Sequence, residues 1–186
     1  MEASVGEQAA GPQGEDDVMF LVDPAFLATE EQPSPPVKAL IGAWLVDENG
    51  NRSRFQPNPL YEPGSPDSPL DPVDALLRGL ADDGGLADHL PVALRDAMLG
   101  IAVEENGTAL VRQAPDGVPS VLVTTSFGHR RNLVVPQWLD VTIEELAEAL
   151  PSEGVDVLLN PGAAASMRLL ADAVRDAARG SDIARD

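Results

Sequence analysis

Three groups of residues in this 186-residue chain are of types that can do chemistry. The first is Ser126-Phe-Gly-His-Arg-Arg131, with Asp140 downstream. Ser126, His129 and Asp140 supply a hydroxyl, an imidazole and a carboxylate, the types used for nucleophilic catalysis. Their spacing matches no nucleophile elbow, because the chain has no Gly-x-Ser-x-Gly. The expectation is therefore a polar exit from a strand, with Arg130 and Arg131 paired to local acids. The second group is His89 near Asp82, Asp83 and Asp88. One imidazole among loop carboxylates is a poor ligand set for a transition metal, and a solvated helix junction is expected. The third is Asp47-Glu-Asn-Gly50, which lacks the alternating ligands of a calcium loop. Gly84-Gly85 has no following Lys-Ser/Thr and does not form a phosphate loop. No catalytic, cofactor or metal residues are assigned.

The elements around these residues follow from turn and periodicity signals. Val18–Val22 reads as a first strand, ended by Asp23-Pro24. Leu40–Asp47 and Arg52–Gln56 flank Asn49-Gly50 and predict a β-hairpin with a type I′ turn. Pro57, Pro59 and Pro63 deny ladder donors, so 57–70 should be an irregular, ordered connection. Asp71-Pro72 opens a helix as N-cap and N1. Val73, Leu76, Leu77 and Leu80 continue it, and Gly84-Gly85 end it. A short helix is expected within Pro91–Leu99. Gly100–Glu104, Thr108–Gln113 and Ser120–Ser126 predict a three-stranded meander, turned at Asn106-Gly107 and Asp116-Gly117. Val-Asp/Glu-Glu-Asn-Gly occurs in both hairpins, at 46–50 and 103–107, and reads as one turn chemistry used twice, with an internal duplication as the alternative. Thr142 and Glu145 form a capping box before a helix to Leu150. Val155–Leu159 is a last strand. Ser166–Arg179 fits an amphipathic helix with Met167, Leu170, Ala171, Val174 and Ala178 on one stripe. The fold class is α+β: a mainly antiparallel sheet with β-hairpins and helices packed on one face. Residues 1–17 read as a disordered acidic tail, 18–180 as one domain and 181–186 as a frayed end.

Composition narrows the function. Net charge is −19. Residues 1–37 carry eight acids and no base, and the remainder is still net −11. That field repels phosphate backbones and anionic lipid heads, so nucleic acid is not an expected partner; the charge reads first as keeping the chain in solution, with a basic protein partner as the alternative. Cysteine is absent, which removes disulfides and thiolate metal sites. No basic, apolar leader opens the chain. No apolar run reaches the roughly 18 residues that span a bilayer. A cytoplasmic protein without direct membrane insertion is expected.

Among the few large aromatics, Trp44 and Phe55 lie on opposite arms of the first hairpin, and Tyr61 lies in its proline-rich exit. One reading anchors the exit to the sheet through these rings. The other makes them a groove for a partner segment, with Trp44, Phe55, Pro57, Asn58, Pro59, Tyr61, Thr125, Ser126 and His129 as partner-binding residues. Trp138, after Pro136, is expected to act similarly in the C-terminal half.

Here the chain resembles a known family. Trp44 with Asp47-Glu-Asn-Gly50, Phe55-Gln-Pro-Asn-Pro-Leu-Tyr61-Glu-Pro63 and Asp71-Pro-Val-Asp74 are similar to actinobacterial type VII secretion system-associated proteins. Val121-Leu-Val-Thr-Thr-Ser126, His129, the 138–150 region and Val157-Leu-Leu-Asn-Pro161 resemble the related SseB-like, enhanced serine sensitivity, family. Gly-His-Arg-Arg after Ser126 departs from that family's acidic-Gly strand exits. The resemblance spans about residues 18–178 and brings no catalytic residues with it. It implies a cytoplasmic, non-catalytic accessory or adaptor protein of type VII secretion, whose protein partners are secretion components or small helical substrates. The serine-sensitivity label implies an alternative, a small-molecule, amino-acid sensing or regulatory domain.

Overall fold

The computed structural model describes residues 17–80, 84–131 and 133–180. Two sheets form. The smaller has the order β1-β2-β3, with β1 Asp17–Val22, β2 Leu40–Val46 and β3 Gln56–Pro57. The larger runs β7-β4-β6-β8-β9, with β5 on part of the β6 edge. Its strands are β4 Leu99–Val103, β5 Val111–Gln113, β6 Pro119–Thr124, β7 Gln137–Val141, β8 Asp156–Leu159 and β9 Met167–Leu169. All pairs are antiparallel except β6 with β8. The class is α+β, as expected. The expected meander is altered: β4 pairs directly with the second half of β6, and β5 occupies only the first half.

Alternation along the strands sorts the core. Leu99, Ile101, Val121, Val123, Val157 and Leu159 face the helices. They pack against α1 Pro72–Gly79, α2 Leu90–Asp96, α4 Ile143–Ala149 and α5 Ala171–Arg179, which send in Val73, Leu77, Leu94, Ile143, Leu146 and Val174. Ala102, Leu122 and Leu158 face the other way, under Leu110, Ala114, Val135 and Trp138. Successive strand residues point to opposite faces, so one six-residue strand feeds both layers.

The caps behave as their residue types dictate. The Asp71 carboxylate accepts from the Asp74 N–H at 2.9 Å, with Pro72 in the first turn. Thr142 and Glu145 cap reciprocally. The turns differ from expectation. Gly50, Gly107 and Gly117 have φ near +80°, while Asn49 and Asn106 do not have positive φ. Each hairpin closes through the glycine N–H, donating to the carbonyls of Asp47, Glu104 and Ala114, plus one wider bond. That is a type I turn followed by a left-handed glycine, the three-residue hairpin loop, and not type I′. Side-chain acceptors decide between them: Asp47 Oδ1 takes the N–H groups of Asn49 and Asn51, which holds the tighter αR pair in place.

Other boundaries move for physical reasons. Helix α1 ends at Gly79, before Gly84-Gly85, where a Cβ on Gly79 would lie 2.6 Å from Leu86 Cδ1. Met167 is in β9, paired with Leu159, and α5 starts only at Ala171. The ladder to β8 takes up Met167–Leu169, so propensity yields to pairing. Leu170 is exposed, whereas Val174 and Ala177 are buried. Phe127–Arg130 forms a one-turn helix, α3, where a loop was expected. Pro57 takes part in β3 opposite Gly42. Asp17, assigned to the tail, pairs with Val46. The rest of that tail and residues 181–186 lie outside the described residues.

Candidate functional site

The 57–70 connection is fixed from below by one carboxylate. Asp23, at the end of β1, is 2% exposed. It accepts from Ala25 N–H (2.9 Å), Ser68 Oγ (2.7 Å), Gly64 N–H (2.8 Å) and Tyr61 Oη (3.0 Å). Burial pushes its pKa up, but these four donors outweigh it and hold the carboxyl below its ordinary value. The same burial and the adjacent Asp23 charge push the Tyr61 phenol well above its ordinary value. Asn58 fastens the next point: its amide donates to the carbonyls of Val37 (2.7 Å) and Leu40 (2.8 Å) and accepts from Leu60 N–H. The irregular exit is thereby as determined as a strand.

A second buried knot lies at the C-terminal ends of the parallel strands β6 and β8. Asn160, fully buried with φ +47°, accepts from Thr125 N–H at 2.9 Å and donates to Thr125 Oγ1 at 2.9 Å. Asparagine tolerates that left-handed conformation better than most residues. Thr125 Oγ1 meets Asp71 Oδ2 at 2.6 Å. His129, on α3, places Nδ1 3.0 Å from Ser126 Oγ and 3.8 Å from Asp71 Oδ2. Its Nε2 is 3.6 Å from Asp74 Oδ2. Arg78 Nε and Leu70 N–H also bind Asp74 Oδ2. His129 Nε2 and Asp74 Oδ1 are buried without hydrogen-bond partners among the described residues. Burial drives Asp71 above its ordinary pKa. Asp74 is also penalised by burial, but His129, Leu70 N–H and Arg78 bring it below. Two carboxylates on one helical turn are thus pushed in opposite directions.

The sequence-derived candidates separate on this geometry. Ser126 and His129 do meet, but Asp140 does not join them: it pairs with Arg130, whose guanidinium lies 5.8 Å from the Phe127 ring centroid and 5.2 Å from that of Trp138. The acids facing His129 are Asp71 and Asp74. The expected pairing of Arg130 to a local acid is present. His89 lines a different cleft, beside Trp44 and Leu76; Asp82 and Asp83 lie outside the described residues. Trp44 and Phe55 pack on each other, centroids 4.8 Å apart, and both are more than nine-tenths buried. A Cβ on Gly42 would collide with the Phe55 ring, so β2 must carry glycine there. Thr125 is likewise interior, and the His129 side chain is 5% exposed. Phe55, Thr125 and the His129 side chain are buried supports, and Trp44, also largely buried, lines the same cleft as His89.

What the supports hold is a groove of about 730 Å³. One bank is Pro57, Asn58, Pro59 and Tyr61; the other is Ser126, Phe127, Gly128 and Arg131. Leu70 lies on its floor, so close to α3 that a Cβ on Gly128 would lie 2.7 Å from Leu70 Cδ1. The two stretches singled out from sequence, 68 residues apart at Asn58 and Ser126, therefore face one space. Phe127 at its rim is 72% exposed and Leu60, at the tip of the exit, 66%. Sequence reasoning missed both; the signal was present, since each is a large apolar residue outside any periodic pattern.

No family model matches the chain, and neither a curated protein nor a solved structure matches it.

Proposed function

We propose that the protein is a non-catalytic adaptor that takes an extended, basic segment of a partner protein into the groove between 57–63 and 126–131. The observation that carries this reading is the convergence of a rigid proline bank and an exposed Phe127 on one open, mainly apolar space. Prolines and the hydrogen-bonded Tyr61 ring lose little entropy on contact. The partner's charge follows from the field of a −19 chain, which favours cationic segments and disfavours nucleic acid. No helix among the described residues is long and apolar enough to cross a membrane, consistent with a partner met outside the bilayer. The resemblance at Trp44–Pro63 and Asp71–Asp74 supports type VII secretion components or their small helical substrates as that partner, and a cytoplasmic setting.

The test uses the purified full chain against purified type VII secretion ATPase and small helical substrates. One of them should bind, and Leu60→Asp with Phe127→Asp should reduce affinity at least about tenfold with the melting temperature unchanged. Absence of binding to all of them, or binding indifferent to both substitutions, contradicts the proposal.

A further inference from the structure

His129 is the inward side of the α3 bank. Its side chain is 5% exposed, while Ser126, Phe127, Gly128 and Arg131 around it line the groove. Oxygens face both ring nitrogens. Nδ1 lies 3.0 Å from Ser126 Oγ, 3.5 Å from Thr125 Oγ1 and 3.8 Å from Asp71 Oδ2. Nε2 lies 3.6 Å from Asp74 Oδ2 and makes no hydrogen bond among the described residues. A neutral imidazole donates from one nitrogen and carries a lone pair on the other. With the proton on Nε2, Ser126 can serve Nδ1, yet that lone pair also faces the Asp71 carboxyl. With the proton on Nδ1, the lone pair faces Asp74. The imidazolium turns a donor toward each acid.

The charges around the ring favour that state. Asp71 and Asp74 face it from α1, and Arg78 on the same helix pairs with Asp74 at 3.1 Å. Thr125 and Asn160, after β6 and β8, are neutral. Arg130, on α3 itself, bonds Thr124 Oγ1 and Asp140, and Arg131 lines the groove. Across the groove, the Tyr61 phenol bonds Asp23 and is held protonated. One guanidinium therefore stands beside two acids, and a charged ring balances them. Burial pushes Asp71 above its ordinary pKa, so proton uptake by Asp71 and His129 is coupled. The ring is also linked to the groove by packing. Leu70 N–H donates to Asp74 Oδ2, the oxygen that faces Nε2. Leu70 lies on the groove floor, and a Cβ on Gly128 would lie 2.7 Å from its Cδ1. Floor, α1 and α3 thus meet at one carboxylate oxygen.

We propose that His129 is a proton-controlled latch on the groove: charged, it holds α3 against α1 and keeps the Ser126–Arg131 bank formed; neutral, it loosens the bank and weakens capture of the partner segment. This regulation rests on reading the groove as the partner site, but the latch acts in the free protein as well.

The chain has two histidines, His89 and His129, so His89→Gln leaves His129 as the sole imidazole. NMR of that full-length variant between about pH 5 and 8.5 should show the ring titrating, with the Phe127 and Gly128 amides shifting at the same midpoint. Asp71→Asn should lower that midpoint, because an acid facing the ring is lost. In His129→Gln the two amide shifts should shrink at least about fivefold. The titration in His89→Gln decides the matter even if His129→Gln fails to fold. Partner affinity at the groove should fall at least about fivefold between about pH 5.5 and 8, and stay level in His129→Gln. Amide shifts that follow the ring, with no partner bound at the groove, would retain the latch and remove the groove reading alone. The proposal is overturned by a ring that does not titrate in this range, by Phe127 and Gly128 shifts that survive His129→Gln, or by groove binding indifferent to pH.

Discussion

At the scale of residues, the groove is held by buried carboxylates whose donors decide their charge. Asp23 is the clearest. Asp23→Ala leaves the Ser68 hydroxyl and two N–H groups without their acceptor, while the Tyr61 hydroxyl keeps the Pro69 carbonyl, and should cost about 3 kcal/mol or more in urea unfolding at neutral pH. Its pKa is lowered by folding, so its contribution is full above the ordinary carboxylate value and disappears as the pH falls through the lowered one. Asp74 has the same sign. Asp71 has the opposite sign, because burial raises it: its contribution is full below the ordinary value and disappears as the pH rises through the raised one. Two substitutions separate the cases. Asp71→Asn keeps an N-cap acceptor and removes the buried carboxylate's desolvation cost, and should stay within about 1 kcal/mol of the parent at pH 7. Asp74→Asn strands Arg78 and weakens the hold on His129, and should lose about 2–3 kcal/mol. Stability curves for both at pH 7 and pH 4 decide whether the assigned signs are right. Trp44→Ala, which a contact role would leave stable, should instead cost about 3–5 kcal/mol, as a large truncation in the small-sheet core does.

Elements show where local sequence spoke and where it was overruled. Asp71-Pro72 and Thr142/Glu145 carry their caps in side chains one turn from the helix start, and such signals are legible without the fold. The turns were legible as turns, but their type depended on Asp47 and its neighbours bonding the backbone. Gly50→Ala, Gly107→Ala and Gly117→Ala should each cost about 1–2 kcal/mol by thermal denaturation, since a Cβ is disfavoured at positive φ. Met167–Leu169 was not legible: its spacing suits a helix, and only the free edge of β8 makes it a strand. The same limit applied to the site. Pro57–Tyr61 and Ser126–His129 could be singled out by type, yet which side chains point into the groove depends on partners far away in sequence. Phe55 finds Gly42, Tyr61 finds Asp23, and His129 finds Asp71 and Asp74. Trp44, Phe55, Thr125 and the His129 side chain are buried, while Leu60 and Phe127 are exposed.

For the whole molecule, charge and architecture act together. Helices cover one face of the large sheet, and the groove and the Trp44 cleft both border the small sheet, through Ile41 and Pro57 in one and Leu21 and Trp44 in the other. Phe55 N–H to the Asp96 carbonyl, 3.1 Å, and Arg54 to Glu144, 3.9 Å, are part of the small sheet's attachment. The acidic field extends about 10 Å at 0.1 M salt and shrinks as salt rises. Association with a basic partner should therefore slow about tenfold between 0.05 and 0.5 M salt by stopped-flow, with dissociation much less affected. A salt-independent association rate would remove charge steering from the account.

The central claim is that the space between the proline bank and α3 is the working surface. Hydrogen exchange of the full chain, with and without a purified type VII secretion ATPase or small helical substrate, tests it most directly. The account predicts added protection at 58–62 and 126–131, absent when Leu60→Asp and Phe127→Asp are combined. Protection confined to other segments, or unchanged exchange with the partner at saturating concentration, would contradict it.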